Sequence, residues 1–167
     1  MPFTPFHFGP GFLVKGCAPR QFWLTSFVLA NVLIDLEVLY YMHRGEPPLH
    51  RYLHTYVGGV AMSVVAALVM FLVARFVLAR LPDDSTWLRG LRATPARRMW
   101  TQSLVAGLLG GVSHILLDSC MHYDMHPFWP FASGNALAGI VSVGALHVAL
   151  AITGFFGIII WLLFPEG

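Results

Sequence analysis

The ionisable residues of this apolar chain are concentrated in a few short stretches, and the richest is "SHILLDSCMHYDMH" at 113–126. It holds three of the eight histidines and two of the eight acidic residues. Imidazole nitrogens and carboxylate oxygens together are the ligands that zinc and similar divalent metals use. His114 and Asp118 are four residues apart and would share one helix face. The pair predicts a metal-binding helix; a structural hydrogen bond is the alternative.

Two earlier segments carry the same residue types. "ANVLIDLE" at 30–37 contains Asp35 and Glu37, and "HRYLH" at 50–54 contains His50 and His54. The spacing of the two histidines predicts one helix face that presents both, although solvated loop histidines are the alternative. Glu37 lies only two residues after Asp35, so the two carboxylates would point in different directions and have different roles.

The composition indicates which solvent surrounds these residues. Hydrophobic residues make up 57% of the 167 and charged residues only 11%, against roughly 25% charged in ordinary soluble domains. So much apolar surface requires lipid as the main solvent. The net charge of +2 gives no reason to expect a nucleic-acid partner. Cys17 and Cys120 have no CxxC spacing, and the pattern does not support a disulfide.

Apolar segments long enough to cross a membrane divide the chain. We predict an all-α polytopic membrane helix bundle that forms a single integral-membrane domain over 1–167. It has about four transmembrane helices plus a short N-terminal half-helix at about 5–17, which is too short to span. The arginine- and proline-rich segment 80–100 is predicted to be a loop. The spanning segments are expected at 22–41, 56–79, 101–118 and 136–164.

Arginines orient this predicted bundle. Six of them lie at or within one connection, which the positive-inside rule assigns to the cytoplasm: Arg75, Arg80, Arg89, Arg92, Arg97 and Arg98. Alternating spans then place the candidate residues together on the opposite side of the membrane: His7, Asp35, Glu37, His50, His54, His114, Asp118 and the 122–126 stretch. Residues distant in sequence are therefore expected to converge at one membrane surface.

This convergence allows roles to be assigned. The expected metal ligands are Asp35, His54, His114 and Asp118, followed by His7, for which a surface position is the alternative. Glu37 or His50 would accept a proton or orient a ligand. Arg51 would hold a substrate phosphate, or anchor a lipid phosphate instead. His122, Asp124 and His126 would bind a second metal. The alternative is that they support the ligands or lie at the surface.

Four motifs in order resemble the YdjM-like family of inner-membrane metal-dependent hydrolases: "TPFHFG", "IDLE", "HRYLHT" and "SHILLD…WPF". The resemblance implies a bacterial inner membrane and hydrolase chemistry carried by His7, Asp35, Glu37, His50, His54, His114 and Asp118. With the orientation that the arginines predict, the site would lie on the periplasmic face. That family is distantly similar to soluble zinc phospholipases C and P1-type nucleases, which share a His-x-x-x-Asp helix signature. Those enzymes have a histidine where Asp124 stands here, so one metal is expected rather than three.

The predicted function is metal-dependent hydrolysis of a phosphoester in a lipid or lipid-linked substrate, with zinc as the expected metal and membrane lipid as the partner. One alternative is a haem-binding electron-transfer protein, although haem ligands are usually His, Met, Cys or Tyr rather than carboxylates. Another is metal transport, which would require polar ligands along the whole path. No oligomeric state is predicted.

Overall fold

The computed structural model describes residues 5–82 and 86–164, and within these ranges the regular structure is entirely helical. A 3-10 turn at Pro5–Phe8 leads into the first α-helix. The α-helices are α1 (Gly9–Cys17), α2 (Leu24–Arg44), α3 (Tyr56–Leu72), α4 (Thr86–Ala93), α5 (Ala96–Met121) and α6 (Val143–Leu163). The predicted all-α class is confirmed.

Among the described residues, four helices are long and apolar enough to cross a membrane: Leu24–Arg44, Tyr56–Val77, Ala96–Met121 and Val143–Leu163. The second of these includes a π-helical turn, Val73–Val77, that follows α3. The chain is a membrane protein on this basis, and the predicted number of spans is confirmed. The shorter α1 has nine residues, which extend only about 13 Å, as expected for the half-helix.

The prediction of a loop over 80–100 is wrong for the part that the structure describes. Helix α4 lies within it, and α5 begins at Ala96, five residues before the predicted start of that span. Arginine has a high helix propensity, so an arginine-rich segment can form helix despite its charge. Pro95 precedes the first turn of α5, where its missing N–H costs nothing. Leu88 of α4 is buried, and α4 contacts the 3-10 turn Leu78–Arg80.

Helices α2, α3 and α5 form the central bundle, in which glycines allow close backbone contact. A Cβ at Gly111 of α5 would lie 2.6 Å from the carbonyl oxygen of Gly59 in α3. A Cβ at Gly110 would lie 2.6 Å from the carbonyl oxygen of Phe27 in α2. Small residues of this kind permit transmembrane helices to approach closely. The last turns of α5 are therefore held against both neighbours.

Helix α1 packs between α6 and the central bundle. A Cβ at Gly16 would lie 2.6 Å from the carbonyl oxygen of Gly157 in α6. A Cβ at Gly11 would lie 2.6 Å from the ring of Phe27 in α2. Much of α6 is exposed, including Phe155 and Phe156, as expected for a helix that faces lipid.

The two ends of the bundle differ in chemistry. Helix α3 starts near the candidate residues, and its chain runs to Arg75 and Arg80, while α5 runs back from Arg97 and Arg98 to Asp118. The arginines and the candidate site therefore lie at opposite ends, as the sequence predicted. Which end faces the cytoplasm stays a prediction from the positive-inside rule.

Candidate metal centre

Four buried side chains meet at the end of the bundle opposite the arginines, and we call them the deep cluster: Asp35, His54, His114 and Asp118. Asp35 comes from α2, His54 from the connection before α3, and the other two from α5. Each offers one ligand atom, and these atoms all lie within 4.8 Å of one another. The residues predicted as the main ligands are thus brought together from three separate parts of the chain.

The histidine Nε2 atoms face the carboxylates of the deep cluster without bonding to them in good geometry. His114 Nε2 lies 3.1 Å from Asp118 Oδ2 and 3.4 Å from Asp35 Oδ1. His54 Nε2 lies 3.6 Å from Asp118 Oδ2 and 3.8 Å from Asp35 Oδ1. Neither Nε2 atom has a hydrogen-bond partner among the described residues, and both imidazoles are fully buried. A cation between the four groups would satisfy these nitrogens.

The other ring nitrogen of His114 is held by Asn31. Asn31 Nδ2 donates to the carbonyl oxygen of Phe27 at 2.8 Å, which orients the amide. Its Oδ1 then accepts from His114 Nδ1 at 3.0 Å. With the proton on Nδ1, the lone pair of Nε2 is directed at the deep cluster. No role for Asn31 was predicted from the sequence; the signal was an amide four residues before Asp35, on the same face of α2.

Glu37 holds His54 in the same way. Its carboxylate Oε2 accepts from His54 Nδ1 at 3.0 Å, so Glu37 contacts the ring atom that faces away from Asp35 and Asp118. It also accepts from the backbone N–H groups of four consecutive residues, 51–54. With so many donors on one carboxylate, the geometry favours a positioning role for Glu37 over the predicted role of proton acceptor.

The helix expected to carry His50 and His54 on one face is absent from this described segment. Both residues lie in the connection 45–55, and α3 begins only at Tyr56. Thr55 is the N-cap, and its Oγ1 accepts from Gly58 N at 3.0 Å. The connection is shaped by the Glu37 carboxylate instead of by helical hydrogen bonds. Glu37 holds His54, Asp124 holds His50, and the two rings lie 4.8 Å apart.

His7 approaches the deep cluster from the N-terminal segment. Its Nε2 lies 2.9 Å from Asp118 Oδ1, the oxygen other than the one that faces His114. The rings of His7 and His114 are 4.6 Å apart. His7 is therefore buried beside the cluster rather than at the surface, and its contact orients the Asp118 carboxylate.

A second group, which we call the outer cluster, consists of His50, His122 and Asp118. Their ligand atoms also lie within 4.8 Å of one another. His50 Nδ1 donates to Asp124 Oδ1 at 2.9 Å, and the rings of His50 and His122 stack at 4.0 Å. His126 does not join them: it is exposed, and its Nδ1 accepts from Gly134 N at 2.8 Å.

The imidazoles of the outer cluster are shifted towards their neutral forms. Burial, followed by the neighbouring imidazole of His50, lowers the pKa of His122 to about 4. Burial also lowers the pKa of His50, against the opposing effect of its hydrogen bond to Asp124. Burial alone would raise the pKa of the Asp124 carboxyl, but the hydrogen bond and charge of His50, together with the backbone N–H groups of His50 and Leu49, lower it. Neutral imidazole is the form that binds a metal.

A cavity of about 160 Å³ opens beside the outer cluster and is lined by Pro48, His50, Arg51, Tyr52, His126 and Trp129. The guanidinium of Arg51 donates to the carbonyl oxygens of Glu46 and Pro48, and it stacks 3.6 Å from the Tyr41 ring centroid. Arg51 thus stabilises the 45–55 connection. These two bonds use two of the five N–H groups of a guanidinium.

Comparison with known proteins gives a family. A family model described as "Domain of unknown function (DUF4184)" matches residues 1–164. The chain belongs to this family. A search of curated proteins and a search of solved structures each found no match. The family description names no activity, so function is inferred from the geometry of the two clusters.

Proposed function

We propose that this protein is a membrane-embedded metal-dependent hydrolase that acts on a phosphoester of a lipid or lipid-linked substrate. The observation that carries the proposal is the deep cluster. Two fully buried imidazoles, those of His54 and His114, point their Nε2 atoms at two buried carboxylates. Neither Nε2 atom has a hydrogen-bond partner among the described residues. Ionisable groups at membrane depth are costly and usually functional.

The donor set fits a divalent cation. Asp35 and Asp118 carry two negative charges when ionised, and a divalent cation would balance them in a region that excludes water. Two imidazoles and two carboxylates are ligands that zinc accepts in four-coordinate sites. The hydrogen bonds that Glu37 and Asn31 accept from the Nδ1 atoms of His54 and His114 are the arrangement found around metal-binding histidines. Zinc is therefore the proposed metal.

The position of the deep cluster suits a lipid head group. Asp35 lies nine residues before the end of α2 and His114 seven before the end of α5, or about 13 Å and about 10 Å along the helices. The cavity beside His50 lies nearer the end of the bundle, where Tyr52 and Trp129 are exposed and in contact, with ring centroids 5.6 Å apart. Such aromatic residues favour the membrane interface.

Each part of the site then has a task. When bound, a divalent metal supplies Lewis-acid polarisation of a phosphoryl oxygen and acidifies water. The four residues of the deep cluster hold it, and Glu37, Asn31 and His7 orient them. Arg51 lines the cavity with N–H groups that fit a phosphate. The positive-inside rule and the resemblance to the YdjM-like family both favour a periplasmic site in a bacterial inner membrane.

Metal analysis and a substrate panel test the proposal. We expect wild-type protein purified without chelator from metal-replete medium to contain stoichiometric transition metal and to release phosphorylated head groups from lipids in nanodiscs. His114→Ala should lose both properties and remain a folded membrane protein, whereas replacement of the exposed His43 by alanine should change neither.

Two results would contradict the proposal. Wild-type protein without stoichiometric metal would overturn metal binding. Metal-loaded protein that cleaves no phosphoester in the panel would overturn the hydrolase assignment, and an intense Soret band would support the haem alternative instead.

A further inference from the structure

We propose that the outer cluster is a second divalent-cation site and that Asp118 bridges it to the deep cluster in a dinuclear centre. The inference rests on the proposed function, because it requires that the deep cluster binds a metal. It concerns His50 and His122, which come from connections outside the spanning helices.

The two oxygens of Asp118 face different sets of imidazoles. Oδ2 lies 3.1 Å from His114 Nε2 and 3.6 Å from His54 Nε2, on the deep side. Oδ1 lies 3.9 Å from His122 Nε2 on the outer side, and His7 Nε2 orients it at 2.9 Å. One carboxylate that presents an oxygen to each set is suited to bridging two cations, which in two-metal hydrolytic sites stand about 3.5–4 Å apart.

His50 has the supporting contacts that mark the histidines of the deep cluster. Its Nδ1 donates to the Asp124 carboxylate, just as His54 donates to Glu37 and His114 to Asn31. Asp124 is anchored in turn by the backbone N–H of Leu49 at 3.1 Å. The His50 ring is buried, with 7% exposure, although it belongs to a connection. A solvated loop histidine would need none of these contacts.

The backbone that carries His122 is also held in place. Asn135 Nδ2 donates to the carbonyl oxygens of Ser119 and His122, each at 2.9 Å. These bonds fix the end of α5, where helical carbonyl groups lack intrahelical partners. His122 therefore reaches the Asp118 carboxylate from a rigid position.

The location of the outer cluster suggests what a second cation would do. His50 lines the cavity together with Arg51, so a cation held by the outer cluster would face an entering phosphate. Three protein ligands leave a coordination position for a substrate oxygen. The substrate class that fits this arrangement is a phosphoester whose head group enters the cavity from the membrane interface.

Metal stoichiometry distinguishes one site from two. Purified protein would be equilibrated with excess Mn²⁺, desalted and analysed for metal per chain, and its electron paramagnetic resonance spectrum recorded. We expect two Mn²⁺ per wild-type chain with a spin-coupled spectrum. His122→Ala should retain one Mn²⁺ with an uncoupled spectrum, and Asp118→Asn should weaken both sites. The matched control His126→Ala, a change at an exposed histidine four residues on, should keep two.

Other outcomes separate the two proposals. One Mn²⁺ per wild-type chain, unchanged in His122→Ala but lost in His114→Ala, would overturn the second site and leave the proposed function intact. No bound Mn²⁺ in wild type, with no transition metal in protein as purified, would overturn both. Size-exclusion profiles and helical circular dichroism of each variant establish that the loss of metal is not unfolding.

Discussion

At the scale of single residues, three histidines share one arrangement. His50, His54 and His114 each use Nδ1 to donate to a buried or partly buried acceptor, which leaves Nε2 for the interior of the two clusters. The acceptors are Asp124, Glu37 and Asn31, and none of them is a member of either cluster. Such supporting groups set the tautomer and orientation of a ligand, and their loss usually costs 10–100-fold in metal affinity or activity.

Glu37→Gln tests this positioning role directly. The glutamine amide would place N–H donors against backbone N–H groups of the 51–54 segment, so part of the network around Glu37 would be lost. We expect metal affinity to fall by roughly 10–100-fold, measured by competition with a chromophoric chelator. Glu46→Gln is the matched control, because the Glu46 side chain is 44% exposed and pairs with Arg44 away from both clusters. If Glu37→Gln retained full metal affinity and lost only turnover, the general-base role predicted from the sequence would be correct instead.

The sequence predicted which residue types would meet, but not how the 45–55 connection holds them. His114 and Asp118 could be paired from helical spacing alone, because both lie in one long helix. His50 and His54 also have helical spacing, yet His54 is held by the carboxylate of Glu37, 17 residues earlier, and His50 by that of Asp124, 74 residues later. A contact of that kind depends on the packing of two helices and has no local signal. Helix α4 was not predicted, because the arginines and prolines of 80–100 indicated a loop.

At the scale of helices, the clusters depend on how closely α5 approaches α2 and α3. Gly110 and Gly111 lie within about one turn of His114 in α5, and Asn31 of α2 accepts a hydrogen bond from His114. A displacement of α5 would therefore move the ligands that it carries. The four-helix architecture itself followed from hydropathy. The close approach did not, since a glycine pattern indicates contact without naming the partner helix.

Gly111→Ala should therefore destabilise the protein. The added methyl group would lie 2.6 Å from the carbonyl oxygen of Gly59, so the helices must separate. Overpacking of this kind costs about 1–3 kcal/mol. We expect a lower thermal unfolding midpoint in detergent and a reduced metal content. Gly144→Ala in α6 is the matched control, because no described neighbouring atom lies within 4 Å of a Cβ placed there. An unchanged midpoint for Gly111→Ala would contradict the close packing.

At the scale of the whole molecule, the arginine end and the cluster end define a polar axis across the membrane. Thiol labelling in intact cells tests its direction. With Cys17 and Cys120 replaced by serine, Ala93→Cys at the arginine end should be protected from a membrane-impermeant maleimide, whereas Ser133→Cys at the cluster end should react. Both residues are exposed in the protein. Reversed labelling would place the clusters on the cytoplasmic side.

The packing of α1 against α6 has a consequence for biogenesis. Gly157 follows Gly16 by 141 positions, so at 5–20 residues per second a ribosome needs roughly 7–28 s to reach it. Until then α1 must wait in the translocation machinery or the lipid without the helix that covers its glycines. His7, at the start of that segment, would then take its final position beside Asp118 only after α6 has been synthesised. The contact that orients the Asp118 carboxylate would accordingly form after the four residues of the deep cluster have been synthesised, since all of them lie at or before position 118.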